Sequence, residues 1–182
     1  MSTSDIESAG TAELLAAERQ TAANSLIKNY VIAATGLGLI PMPLVDLGGF
    51  MALQIKLVHG LAKHYGVPFK ENVGKSLITS LLSGAGSVVA VMGLSSIAKT
   101  VPGLGTLGGG ASVAITAGAL TYAVGQVFAK HFALGGTLLD FDPKEMRDLF
   151  KRKLQEGKDA VKKMKAEDPA ESAAGAAAAA AK

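Results

Sequence analysis

Three histidines, His59, His64 and His131, are the side chains of this 182-residue chain best suited to proton transfer or metal ligation. There is no cysteine, so thiol nucleophiles, thiolate metal sites and disulfides are excluded; a reducing compartment fits. His59 and His64 stand five residues apart rather than four, so they do not share a helical face as two ligands would. No acid or cysteine nearby completes a zinc shell, and the expectation is solvated or headgroup-facing histidines. Asp140 and Asp142 invite a metal reading, but capping accounts for Asp142 and nothing completes a shell. No Ser/His/Asp set, carboxylate pair or metal cluster can be assembled around these groups, so neither an enzyme nor a cofactor is expected.

Two glycine-rich motifs could cradle phosphate, and both fail on spacing. Gly74-Lys75-Ser76 resembles the end of a phosphate-binding loop, but the glycine required five residues earlier is Phe69. Gly103-Leu104-Gly105-Thr106-Leu107-Gly108 fits a dinucleotide fingerprint by letter. It follows no strand pattern and lacks the acid about twenty residues on. It reads as a turn. The net charge of +3 is too small to imply nucleic acid, and none is expected as a partner.

The elements that would position any site are organised around Ser76–Ala129, 54 residues with one charge, Lys99. Leu77–Ala98 and Leu104–Ala129 are apolar arms on either side of Lys99-Thr100-Val101-Pro102-Gly103, a breaker cluster. The first arm, 22 residues, would span about 33 Å at roughly 1.5 Å per residue, close to the ~30 Å of a hydrocarbon core. The expectation is an antiparallel helical hairpin inserted in a membrane. The alternative is a hairpin buried in a soluble bundle, because a helix apolar all round serves either. Gly86 and Gly93, and Gly118 and Gly125, are spaced by seven, with Ala111 seven before Gly118. Small residues two turns apart let backbones approach closely, so these five are the expected packing positions and a route to self-association.

Charge is segregated. Tyr30–Ala129 carries seven of the 33 charged residues. Residues 1–10 show no periodicity and are expected to be disordered, with a helix from Thr11. Residues 11–142 form the expected membrane-associated domain. Within it, Asn29–Val45 is uncharged and holds Pro41-Met42-Pro43, which cannot both sit inside a helix. A re-entrant turn or a buried helix–turn–helix is predicted around Pro41 and Pro43. Asp46 then either caps the helix starting near Leu47 or is an acid at membrane depth. Gly66 should stop that helix, and one long helix is expected over Glu71–Ile97. Asp142, Pro143 and Glu145 mark the start of a basic amphipathic helix over 143–166. Residues 143–167 carry nine Lys or Arg against five acids. Lys144, Arg147, Lys151, Arg152 and Lys153 are candidates for contact with lipid headgroups or a partner. Residues 167–182 read as a low-complexity disordered tail.

Several motifs in order carry a resemblance. Asn29-Tyr30-Val31, Leu37 to Asp46, Leu61-Ala62-Lys63-His64-Tyr65-Gly66, Gly74-Lys75-Ser76-Leu77, Pro102 to Thr106 and Tyr122 to Phe128 resemble the YcjF-like, GTPase-associated bacterial domain of unknown function, over about residues 25–153. The resemblance implies membrane association with two hydrophobic helices, and neighbours that include Era-like GTPases. With no phosphate-binding loop of a GTPase found in these 182 residues, a stand-alone version of the domain is the expectation. The resemblance provides no catalytic residues. The combined expectation is an all-α, non-enzymatic scaffolding protein of the bacterial inner membrane, with both termini cytoplasmic. It would contact membrane lipids, self-associate as a homo-oligomer, and shape membrane or recruit an Era-like GTPase. Two alternatives stand: a soluble homo-oligomeric adaptor, and a small pore or transporter subunit.

Overall fold

The structure is a computed structural model and describes residues 3–37, 45–84 and 109–167. Five helices and no strand are present among the described residues: α1 (Thr3–Leu37), α2 (Val45–Tyr65), α3 (Glu71–Ser83), α4 (Gly109–Ala133) and α5 (Arg147–Glu167). The chain is all-α, as its composition and periodicity predict. The Pro41–Pro43 turn, the breaker cluster at Lys99–Gly103 and the tail beyond Glu167 lie outside the described residues.

Helix α1 begins at Thr3, well ahead of the Thr11 start that the apolar pattern suggests. The stretch is rich in Ala, Glu and Leu and lacks proline, so helix propensity carries it where periodicity is weak. Its packed part is a stripe of Ala23, Ile27, Val31 and Ala34, all buried, at helical spacing. Thr21 and Ser25 donate their hydroxyls to the carbonyls of Ala17 and Thr21 at 2.9 and 3.1 Å, which satisfies them along the exposed side. Residues 10–19 are exposed, Leu14 and Leu15 among them.

Turn chemistry fixes the helix ends. After Tyr65, Gly66 takes φ +74°, its N–H donates to Lys63 O (3.2 Å), and Val67 N–H donates to Ala62 O (2.7 Å). This is a Schellman motif, in which a left-handed residue lets the last carbonyls find donors. The end of α4 repeats it. Gly135 has φ +87°, and the N–H groups of Gly135 and Gly136 donate to Phe132 O and His131 O, both at 3.0 Å. At the start of the last helix, Asp142 Oδ1 accepts from Lys144 N at 2.7 Å. The chain makes a further turn over residues 143–146 before α5 proper begins at Arg147.

Helix α4 is the axis of the bundle and packs most extensively on α1 and α5, less on α2, and only marginally on α3. Named contacts give the directions. Asn24 meets Gln126 and Ile27 meets Gly125, while Thr35 meets Gly118, so α1 runs antiparallel to α4. Gln54 bonds Thr121 and Tyr65 lies near Phe132, so α2 runs parallel to it. Val161 lies on Gly118 and Gly157 on Ala119, so α5 is antiparallel. Helix α3 packs on α2, burying Ile78, Leu81 and Leu82. The expected second arm is thus helical from Gly109, but its partners are α1 and α5. The expected pairing of two hairpin arms is not what organises the described residues. The continuation of the first arm past Gly84 lies outside them.

Candidate functional site

Close approach of helices begins with glycine. A methyl group at Gly125 would stand 2.8 Å from Ile27 Cγ1, and one at Gly118 would press on Thr35 Oγ1 and lie 2.9 Å from Val161 Cγ2. Real Cβ atoms do not sit so close, so α1 rides directly on the backbone of α4 at both positions. The seven-residue spacing read from the sequence is therefore filled inside the chain, by α1 and α5, and these two glycines present no free face to a second copy. Gly157 does the same from α5: a methyl there would lie 2.9 Å from Ala119 O and 3.0 Å from Ala119 Cα. Gly157 carries no sequence signal for this role, since it stands alone in a charged helix without a repeat of small residues. Of the other predicted packing residues, Ala111 lies in the first turns of α4, and Gly86 and Gly93 fall outside the described residues.

Asp46 lies in the first turn of α2, and Pro41 and Pro43 fall outside the described residues. The predicted headgroup residues lie in two groups around α5. Its inner face is Phe150, Leu154, Gly157 and Val161, all buried. At roughly 100° per residue, Arg147, Lys151, Lys158, Lys162 and Lys165 fall within about 60° of arc on one flank, and Lys144 lies in the turn before the helix. No acid shares that arc; neutral Gln155 borders it. Arg152 and Lys163 lie on the outer face among Asp148, Glu156 and Asp159, and Lys153 lies towards the other flank. Lys151, Lys153 and Lys163 pair with Asp148 (3.9 Å), Glu156 (2.7 Å) and Glu167 (3.8 Å). Among the described residues no ion pair engages Arg147, Lys158, Lys162 or Lys165. Arg147 rests on the end of α3: a methyl at Gly84 would be 2.7 Å from its Nε. A cation there faces the negative end of the helix dipole.

The three histidines are separate. His59 stacks on Phe69 with ring centroids 4.7 Å apart. His64 Nε2 lies 2.9 Å from Arg19 O and helps tie α2 to α1. His131 Nε2 lies 2.9 Å from Thr137 O and 3.4 Å from Asp140 Oδ1, at the corner joining α4 to α5. Asp140 accepts from both Thr137 Oγ1 (2.7 Å) and Thr137 N (2.6 Å), and these bonds, with His131 nearby, lower its pKa to about 2. Each of these imidazoles has a structural neighbour, and no group of three His, Asp or Glu able to hold a metal is present among the described residues.

One buried polar pair interrupts the core. Gln54 Nε2 donates to Thr121 Oγ1 at 2.7 Å, and Thr121 donates on to Ala117 O at 2.9 Å. Gln54 Oε1 is buried without a partner. An open groove of about 460 Å³ lies between α1 (Ala12, Leu15, Ala16, Arg19) and Tyr65 and Phe132. A smaller apolar slot of about 130 Å³ lies by Pro68, Val73, Leu138 and Leu139. Neither gathers the converging titratable groups that a catalytic pocket needs.

Val113–Ala133 within α4 is, among the described residues, the one helix long and apolar enough to cross a bilayer, but 72% of its most apolar window is buried inside the chain. The described geometry is therefore a bundle with a covered apolar axis and an acid-free basic flank. Comparison with known proteins places it. The chain is 38% identical over 153 residues, 81% of its length and 76% of the relative's, to Magnetosome membrane protein 22 of Magnetospirillum gryphiswaldense. No solved structure matches. A family model described as a domain of unknown function, DUF697, matches residues 1–159, and together with that relative it establishes that the chain belongs to the DUF697 family, consistent with the YcjF-like resemblance of its motifs.

Proposed function

We propose that the protein is a non-enzymatic, membrane-associated structural protein in which the helical bundle carries a short apolar segment to the bilayer. The observation that carries this reading is where charge is missing. The chain leaves α3 at Gly84 and enters α4 at Gly109, and the 24 residues between hold one charge, Lys99. The printed name of the relative, a membrane protein, supports it.

Helix α4 is a poor candidate for the lipid-exposed part. It packs along α5. Placing α4 in hydrocarbon in this arrangement would take Lys151, Arg152, Lys158 and Lys162 with it. At about 2.5–3.5 kcal/mol per charge, those four alone cost on the order of 10 kcal/mol. The proposal therefore narrows the membrane segment from two full arms to residues 85–108. The lysines flanking it on both sides, Lys63, Lys70 and Lys75 before and Lys130 after, favour a cytoplasmic bundle with both termini on that face. The family resemblance adds an Era-like GTPase as the candidate partner, and self-association would use surfaces other than Gly118 and Gly125.

The burial of α4 favours one competing reading, a soluble adaptor. Single cysteines separate the two, since the chain has none of its own. Val91→Cys should resist a water-soluble maleimide in intact membranes and react once detergent is added, while exposed Gln155→Cys reacts in both. Release of the whole chain by alkaline carbonate, with Val91→Cys labelling as fast as Gln155→Cys, would establish the soluble reading instead.

A further inference from the structure

The basic residues of α5 are sorted by the packing. Once Phe150, Leu154, Gly157 and Val161 are committed to α4, the helix has a fixed rotation. One flank then presents Arg147, Lys151, Lys158, Lys162 and Lys165, with Lys144 just before the helix, and no carboxylate in the same arc. From Arg147 to Lys165 the row is about 27 Å long at roughly 1.5 Å per residue. The other flank and the outer face hold the ion-paired Lys153 and Lys163 and the acids; within the row only Lys151 has an acidic partner, exposed Asp148 at 3.9 Å. A helix built only for solubility mixes its signs around its exposed surface; here the mixing is confined to one side.

The row also has a position in the chain path. Its first helical residue, Arg147, lies against Gly84, the last described residue before the apolar 24-residue stretch. Towards its other end Val161 lies against Gly118, in the N-terminal half of α4, the helix that opens at Gly109 where that stretch rejoins the bundle. The row thus extends from the point of departure towards the point of return. Arg147, Lys158, Lys162 and Lys165 have no carboxylate partner among the described residues, so these like charges repel one another, and an anionic surface relieves that repulsion. Each Lys or Arg held near an anionic bilayer strengthens binding about fivefold at moderate salt.

We propose that the flank of α5 formed by Arg147, Lys151, Lys158, Lys162 and Lys165 is a docking surface for anionic phospholipid headgroups, laying α5 along the bilayer beside the apolar segment. This rests on the membrane reading above and adds to it a face, a lipid class and a rotation of the bundle. Lys153 and Lys163, two residues that net charge alone would count equally, are turned away from the lipid.

The test uses the full chain in vesicles of phosphatidylcholine with and without phosphatidylglycerol. A fluorophore is placed on Lys158→Cys or Lys162→Cys, and on Arg152→Cys or Lys163→Cys as the opposite face. A headgroup-attached nitroxide lipid is the quencher. Quenching at 158 and 162 should exceed that at 152 and 163 at least threefold in anionic vesicles. Raising salt from about 0.1 to 0.5 M should reduce this difference, because exposed charges are screened. Equal quenching on both faces, or quenching on neither while the chain stays with the vesicles, overturns the docking surface and leaves the membrane reading standing. A chain that stays with neither vesicle overturns both. Binding to a duplex DNA oligonucleotide that Lys158→Gln/Lys162→Gln/Lys165→Gln abolishes, with anionic vesicles ignored, would assign the row to nucleic acid and overturn the lipid assignment.

Discussion

Gly157→Ala tests whether α4 and α5 meet backbone to backbone. The added methyl would stand 2.9 Å from Ala119 O, 3.0 Å from Ala119 Cα and 3.0 Å from Tyr122 Cδ1. Tyr122 can swing aside, but the Ala119 atoms belong to the main chain of α4 and cannot. Helix α5 must move outward by a few tenths of an ångström, loosening Phe150, Leu154 and Val161 together. Such overpacking costs about 1–3 kcal/mol. Against it stands the intrinsic preference of a helix interior for alanine over glycine, about 1 kcal/mol. The net expectation is a loss of about 1 kcal/mol. Gly48→Ala in α2 is the control, since nothing lies within 4 Å of its new methyl and only the propensity gain should appear. Guanidinium denaturation followed by circular dichroism at 222 nm should place the two variants on opposite sides of the parent. The difference between them, about 2 kcal/mol, is the contact term. If Gly157→Ala gains as much as Gly48→Ala, the close approach of α5 to α4 is wrong.

Gln54→Leu should raise stability by about 1 kcal/mol in the same assay, because it removes a buried carbonyl without a donor while Thr121 keeps its bond to Ala117 O. Gly66→Ala should lower it by about 1 kcal/mol, since φ +74° is strained for any residue with a Cβ. Asp140 has a pKa depressed to about 2 from 3.8, so the stability it contributes is present above about pH 4 and lost as pH falls through 2. Thermal melts between pH 5 and 2 should show the parent losing stability over that window, and Asp140→Asn should flatten that part of the curve.

The all-α class was legible in the sequence, and so was the stop at Gly66, because these depend on local chemistry: periodicity, propensity and glycine's access to positive φ. Asp142, expected from the sequence to cap the last helix, instead opens a turn over residues 143–146, and the helix begins at Arg147. The early start of α1 was not, since its first turns carry little apolar rhythm and only propensity marks them. The partners of α4 could not be read at all. Glycines spaced by seven say that some backbone comes close, and tertiary packing decides that it is α1 at Gly125 and both α1 and α5 at Gly118. The same limit applies to charge. The excess of Lys and Arg after Pro143 is a property of composition, but the acid-free row faces a definite direction only when Phe150, Leu154, Gly157 and Val161 are seated on α4. A sequence fixes the angular order of residues around a helix; what sets the rotation of that helix is the surface it must bury against its neighbours.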